Sequence, residues 1–320
     1  MRTTTPDTRT MSPVAWSALI VVYIVWGSTY LGIGIVIETI PPLLGGAIRF
    51  LAAAGLLAAY VAVRHGPGAL RASPRRLGSA ALVGILLLTG GNGMVAVAEQ
   101  HISTGLAALM VASVPLWLVV FRLATGDRPA AATLIGVITG FAGVALLSLV
   151  HHGGSGSALG IAIILVASLS WAIGSFLSGR LPLPANSLTT SVYEMAAGGL
   201  ALLAVAAARG ESMDPGQVST RSWLALAYLI VFGSLVAFTA YSWLLSNAPI
   251  SLVGTYAYVN PAVAVLLGAL ILSETVTWPM LIGGLVIIAG VGIVVSTERR
   301  SRPAELPQKD NIPIAVPERD

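Results

Sequence analysis

Trp26-Gly27-Ser28-Thr29-Tyr30, with Arg49 and Arg64 behind it, opens a pattern that the chain writes twice. Trp26 is followed 23 residues later by Arg49 and 15 further on by Arg64; Trp171 is followed 23 residues later by Glu194 and 15 further on by Arg209. The match then drifts by one or two positions. Pro115 pairs with Pro261, Leu134-Ile135-Gly136 with Leu281-Ile282-Gly283, and Ala142-Gly143-Val144 with Ala289-Gly290-Val291. A chain that repeats itself at about 146 residues is two copies of one unit. Each copy is mostly apolar, and duplicated apolar halves are a mark of secondary transporters, whose sites form where the halves meet.

Composition narrows the class. Charged residues are 9% of the 320 and apolar residues 56%, against roughly 25% charged in soluble domains. So little polar surface cannot coat a globule of this size, which leaves a polytopic membrane protein. The formal charge of +4 comes from basic residues spread over loops and tails, so it reads as topology information and not as a nucleic-acid patch. The absence of cysteine excludes disulfides, thiolate metal sites and thiol catalysis. Trp26-Gly27-Ser28-Thr29 matches the Trp171 segment and is therefore kept as mature sequence, not as a signal-peptide cleavage region.

A span needs about 20 predominantly apolar residues. Ten are expected: 13–33, 42–63, 77–98, 103–121, 130–150, 158–178, 187–208, 223–245, 249–272 and 277–296. Turn chemistry marks the breaks, among them Pro41-Pro42, Gly66-Pro67-Gly68, Asp127-Arg128-Pro129, Asp214-Pro215-Gly216 and Ala248-Pro249. The division that follows is a polar tail over 1–12, a first repeat over 13–150, a Gly/Ser linker over 151–157, a second repeat over 158–297 and a polar tail over 298–320, both tails being expected to be disordered. Placing the N-terminus inside puts Arg2, Arg9, Arg64, Arg71, Arg75, Arg76, Arg122, Arg128, Arg180, Arg299, Arg300, Arg302, Lys309 and Arg319 on the cytoplasmic side, fourteen of the 17 basic residues. Arg209 and Arg221 fall opposite, and Arg49 lies within a span. Both termini are therefore expected in the cytoplasm. Five spans per half is an odd number, so the second copy enters the membrane from the other side and the repeat is inverted.

At this level of detail the chain resembles the drug/metabolite transporter superfamily, in its ten-span EamA type. The likeness is carried by Trp26-Gly27-Ser28-Thr29-Tyr30, Pro41-Pro42 through Arg49-Phe50, and Ala98-Glu99-Gln100 through Gly105-Leu106-Ala107-Ala108-Leu109. Pro115, Asn260-Pro261, Ser273-Glu274 and the Gly-rich ends of both halves add to it. It spans about residues 14–297. Many members carry Gly-Glu after the fourth span; here Gly126-Asp127 stands there and Ser273-Glu274 after the ninth, keeping the acid and losing one glycine. The resemblance implies an all-helical inner-membrane transporter that exports amino acids, other metabolites or drugs without a cofactor. Its partners would be a small-molecule solute and the lipid bilayer, with no nucleic acid.

Arg49 and Glu194 are the sharpest candidates. A charge within a span costs about 2.5–3.5 kcal/mol on insertion scales and should face the bundle interior or a wet cavity. Arg49, seven residues past Pro42, would lie roughly 10 Å into the membrane. Together they read as a charged rim of a translocation path, Arg49 attracting a carboxylate and Glu194 an amine or proton; pairing with a polar neighbour is the structural alternative. Trp26 and Tyr30 share a helix face at i, i+4, and Trp171 is the counterpart of Trp26; such rings suit a cavity for amphipathic solutes, or plain helix packing. Tyr256, Tyr258 and Asn260 precede Pro261, which frees a carbonyl near Ala257 that Asn260 could satisfy. Asn92, in Gly90-Gly91-Asn92-Gly93, marks a candidate helix interruption. Glu99 and His101 fall at the outer end of the third span, where Glu99, like Glu194, is a candidate for proton coupling. His151-His152 lacks the companions of a metal site. Gly136-x-x-x-Gly140 with Gly143, echoed by Gly283, Gly284, Gly290 and Gly292, is a small-residue packing stripe whose use is intrachain packing or a homodimer. No P-loop or nucleophilic triad signature is present, and the only lysine is Lys309. The expectation is a secondary transporter of amino-acid-like solutes or drugs working by alternating access, not an enzyme. The competing class, a membrane-embedded enzyme acting on lipid-linked substrates, would need a catalytic cluster in a soluble loop.

Overall fold

The computed structural model describes residues 13–126, 129–150, 157–247 and 256–301. Regular structure in these residues is helical throughout. In chain order the helices are α1 (Pro13–Val36), α2 (Pro42–His65) and α3, built from Pro74–Gly84, Ile85–Gly93 and Met94–Ala98 end to end. Next come α4 (Thr104–Val111 and Val114–Ala124), α5 (Ala131–Val150), α6 (Ala158–Ser178) and α7 (Ser187–Ala208). They are followed by α8 (Thr220–Tyr228, Leu229–Val236 and Ala237–Asn247), α9 (Tyr256–Ile271) and α10 (Trp278–Ser301). Eight of them are long and apolar enough to cross a bilayer, and α5 and α9 are shorter apolar helices over the residues described. The ten spans expected from sequence each fall on one helix. The expected start of the ninth at 249, His151-His152, Asp127-Arg128, the N-terminal tail and residues 302–320 lie outside the described residues, whereas 298–301, expected in the disordered tail, continue α10.

Local chemistry sets the boundaries. Ser103, Ser157, Asn186 and Ser219 each accept a backbone N–H of the first turn they cap, starting α4, α6, α7 and α8. Proline opens α2 and α3, where a missing N–H costs nothing. The expected fourth span is not continuous: it breaks at Ala112-Ser113, just ahead of Pro115. Positive φ ends four helices, at Gly66, Gly126, Gly210 and Ser273. Gly126 stands at φ 88° after α4, and Ser273 at φ 55° after α9. The serine keeps the turn that the missing glycine would have made without strain.

Packing repeats under exchange of each helix with the one five places along. α2 lies against α7, α5 against α10, and α4 against α9, each such pair being its own counterpart. α1 packs on α8 and α9, as α6 packs on α3 and α4; α3 packs on α7, as α8 packs on α2. Two copies of one five-helix unit, joined about a pseudo-two-fold, produce this pattern. The Gly136, Gly140, Gly143 stripe of α5 is used within the chain. A Cβ on Gly136 would lie 2.8 Å from the Gly290 carbonyl, and one on Gly143 2.8 Å from the Ile287 amide, so α5 and α10 meet backbone to backbone. The outer surface is apolar, with Ile138, Leu270 and Leu285 among the residues that stand free of the bundle, as lipid-facing positions do. Trp16, Trp223 and Trp278, near the starts of α1, α8 and α10, are exposed, which suits anchors at the membrane interface.

Candidate functional site

The site is built around two helix irregularities. Ile85–Gly93 in α3 and Leu229–Val236 in α8 are π-helical, and they begin at equivalent points of the two halves. An i→i+5 turn widens the helix and leaves carbonyls and side chains free for other partners. The interruption expected at Asn92 is therefore this π stretch, and it has a twin in the second half. The glycines of Gly90-Gly91-Asn92-Gly93 let α6 approach, since a Cβ on Gly91 would lie 2.8 Å from the Trp171 ring.

Arg49 on α2 is held between the two π stretches. Its Nε donates to Ser234 Oγ at 2.9 Å and its Nη1 to Asn92 Oδ1 at 3.3 Å, while the guanidinium carbon stands 4.8 Å from the Phe50 ring centre. The residue is 6% exposed. Its hydrogen-bond partners are neutral, so a full positive charge is buried among dipoles. Gly233 makes room for it: a Cβ there would lie 3.0 Å from Arg49 Nη2.

Trp26 on α1 is the hub of the facing wall. Its indole N–H donates to the Gly233 carbonyl, within the second π stretch, at 3.3 Å. Its ring meets Trp171 edge-on at 6.2 Å, Tyr256 edge-on at 5.3 Å and Tyr241 tilted at 4.7 Å. These are the spacings of attractive aromatic pairs, worth about 0.5–1.5 kcal/mol each beyond their burial. The two repeat-equivalent tryptophans therefore touch at the junction of the halves.

The cavity between these groups is walled by Trp26, Tyr30, Arg49, Asn92, Trp171, Tyr256 and Asn260 of the residues singled out from sequence, with Ser168 and Ser234 joining them. Its volume is about 70 Å³, enough for a few waters, each of which takes about 30 Å³ in the liquid. Asn260 has a structural task as well. In the orientation its surroundings favour, its amide donates to the Tyr23 and Tyr256 carbonyls at 3.1 and 3.2 Å, tying α9 to α1. The Tyr258 side chain lies outside the described residues.

Glu194 does not reach the wall. It is buried on α7, 5% exposed, and its neighbour Met195 lines the cavity while Glu194 does not. Its backbone lies directly against Gly84 of α3, so close that a Cβ on Gly84 would overlap it. Equivalent sequence positions thus face different surroundings, and among the described residues Arg49 and Glu194 form no ion pair. Glu99 lies in a separate cavity of about 360 Å³ shared with Glu38, Thr104 and Glu274. Sequence reasoning missed Ser234, Tyr241 and the role of Gly233.

Comparison with known proteins agrees with this architecture. The model of the EamA-like transporter family matches residues 14–149 and again 158–296. The inner membrane transporter YedA of Escherichia coli K12 is 41% identical over 265 residues, covering 82% of this chain and 84% of YedA. The transporter YvbV of Bacillus subtilis is 26% identical over 303 residues, covering 94% of this chain and 96% of its own length. A crystal structure at 19% identity superposes with a TM-score of 0.64, covering 89% of this chain and 98% of that one, a likeness of fold. A chain matched twice by one model, with ten apolar helices paired by a repeat, is a multi-pass membrane transporter, and it belongs to the EamA-like transporter family.

Proposed function

We propose that this chain exports small organic solutes bearing a carboxylate beside an apolar or aromatic part, amino-acid-like compounds or drugs, by alternating access at the cavity between its halves. The observation that carries the reading is Arg49: a buried guanidinium whose partners, Ser234 and Asn92, are neutral. Such a charge has electrostatic capacity left for an anion, and its planar fork suits a carboxylate. Trp26, Trp171 and Tyr256 supply the apolar wall beside it. The cavity is smaller than an amino acid, so admitting one requires the walls to part, which is what alternating access does. The bias of basic residues supports a cytoplasmic placement of both termini in the inner membrane. Glu99 and Glu194 are the acids available to bind a coupling proton. Uptake into inside-out vesicles, over a panel of amino acids and amphipathic cations, tests the proposal with wild type and Arg49→Gln. Carboxylate-bearing solutes should accumulate in wild type and fail in the variant. Transport confined to cations, and unaffected by Arg49→Gln, would reverse the substrate class.

A further inference from the structure

The second cavity lies where α1 and α3 end and α4 begins, on the outer side in the orientation proposed above. Left-handed Ser273 turns the chain after α9 so that Glu274 faces the start of α4. Glu274 Oε1 accepts from the Thr104 amide at 2.8 Å and Oε2 from the Gly105 amide at 3.2 Å, so a carboxylate of the second half caps a helix of the first. Glu99 lines the same cavity, and both of its carboxylate oxygens are buried without a hydrogen-bond partner; so is the Thr104 hydroxyl. A buried carboxylate with no donor, beside a second carboxylate already saturated by amides, is untenable as an anion. It is comfortable only with a proton.

We propose that Glu99 and Glu274 form a proton-binding latch across the two halves: a proton on Glu99 lets the outer mouth close, and its release drives the mouth open. This deepens the transport reading and rests on it for the meaning of opening. The site is new in pairing the acid of the α3 end with the acid of the α9–α10 turn, which also anchors α4. The charged and titratable groups around Glu99 are Tyr30 of α1 and Glu38 in the turn after it, Arg221 of α8 bound to Glu38 at 3.5 Å, His101 on its own turn, and Glu274. Arg221 is engaged by Glu38 at the rim, so it does not neutralise Glu99. Burial first, and the Glu274 carboxylate second, push the Glu99 carboxyl well above its ordinary value of 4.5. The closed form therefore binds the proton more tightly than the open form. Closing is favoured at low outside pH and weakens as pH rises from the ordinary value through the raised one. Over that window one proton changes the closed-to-open ratio about tenfold per pH unit.

The chain has no cysteine, so a single reporter can be placed without background. Ile102, 4% exposed, lines the outer cavity. In Ile102→Cys protein in proteoliposomes, labelling by a membrane-impermeant maleimide, corrected for the reagent's own pH dependence on a free thiol, should rise with outside pH. In the Ile102→Cys, Glu99→Gln protein it should stay low and flat, because glutamine is a permanent stand-in for the protonated acid. Glu274→Gln should move the rise to higher pH if the mouth still closes, by removing the repulsion. An infrared carbonyl band of a protonated carboxyl, lost in Glu99→Gln, checks the proton in otherwise wild-type protein and does not depend on the reporter. Unchanged pH dependence in Glu99→Gln, or no such band in wild type, overturns the latch. Solute exchange at fixed pH separates the two proposals: a latch that titrates in a protein moving no solute leaves the latch standing and removes the transport reading.

Discussion

Replacing Arg49 by methionine separates a substrate ligand from a packing residue, because the two roles predict opposite balances of stability and transport. Removing the charge relieves a burial cost of about 2.5–3.5 kcal/mol. Against this stand the hydrogen bonds from the charged guanidinium to Ser234 and Asn92, worth about 1.5–3 kcal/mol each. The contact with the Phe50 ring adds about 0.5–1 kcal/mol. Ser234 and Asn92 still have the cavity to share with water. The opposing contributions offset in large part, leaving a net loss of at most about 4 kcal/mol, so Arg49→Met should lower the melting temperature of the empty protein in detergent by less than ten degrees. A charge-assisted hydrogen bond to a solute carboxylate is worth about 1.5–3 kcal/mol, so affinity for that solute should fall roughly 10- to 150-fold. Arg49→Lys keeps the charge but cannot span Ser234 and Asn92 together, and should recover only part of the affinity. Thermal unfolding and counterflow transport on the same preparations decide the matter. A melting temperature lowered by ten degrees or more, with transport intact in the protein that survives, would refute the reasoning and make Arg49 a structural residue.

Three further outcomes follow from the geometry. Gly290→Ala drives a methyl into the α5 backbone at Gly136 and Gly140 and should cost about 1–3 kcal/mol, whereas Gly55→Ala meets nothing within 4 Å and should gain up to about 1 kcal/mol; equal melting temperatures would contradict the backbone contact of α5 with α10. Ser273→Gly removes left-handed strain and should stabilise by about 1 kcal/mol, read as a raised melting temperature with pH-dependent labelling of the outer mouth preserved. Reporter fusions after Thr297 and within Gly153–Gly156 should label opposite sides of the membrane, cytoplasmic for the former; the same side for both would break the count of five crossings per half.

Much of the fold could be read in advance for a simple reason. Lipid demands long apolar helices with their backbone bonded internally, so span number follows from hydropathy, and matched spacings such as Trp26–Arg49 and Trp171–Glu194 expose the duplication without coordinates. The break in α4 was less visible, since Pro115 alone does not say whether a helix continues, as α9 does through Pro261, or stops. The site was legible in its anchors. Trp26, Arg49, Asn92 and Trp171 carry polar or amphipathic groups where lipid would penalise them, and all four converge on one cavity. Ser234 and Gly233 were not legible, because a small residue in an apolar run has no signature until the helix around it is seen to be π-helical.

Equivalence by repeat, read from spacing alone, assigned Arg49 and Glu194 the same surroundings. Spacing along a chain determines which helix and which depth a residue occupies, and both were set by the sequence through the helical rise and the thickness of the membrane. What faces that residue depends on the helix packed against it. Gly84 lets α3 lie on the Glu194 backbone, while Gly233 leaves room for the Arg49 side chain to reach Ser234 and Asn92. The outer carboxylate pair was decided in the same way. Glu99 and Glu274 are 175 positions apart, and only the docking of the second half on the first brings a capped carboxylate beside an uncapped one. Long-range contacts of this kind depend on shape complementarity between surfaces, which no local pattern of residues encodes.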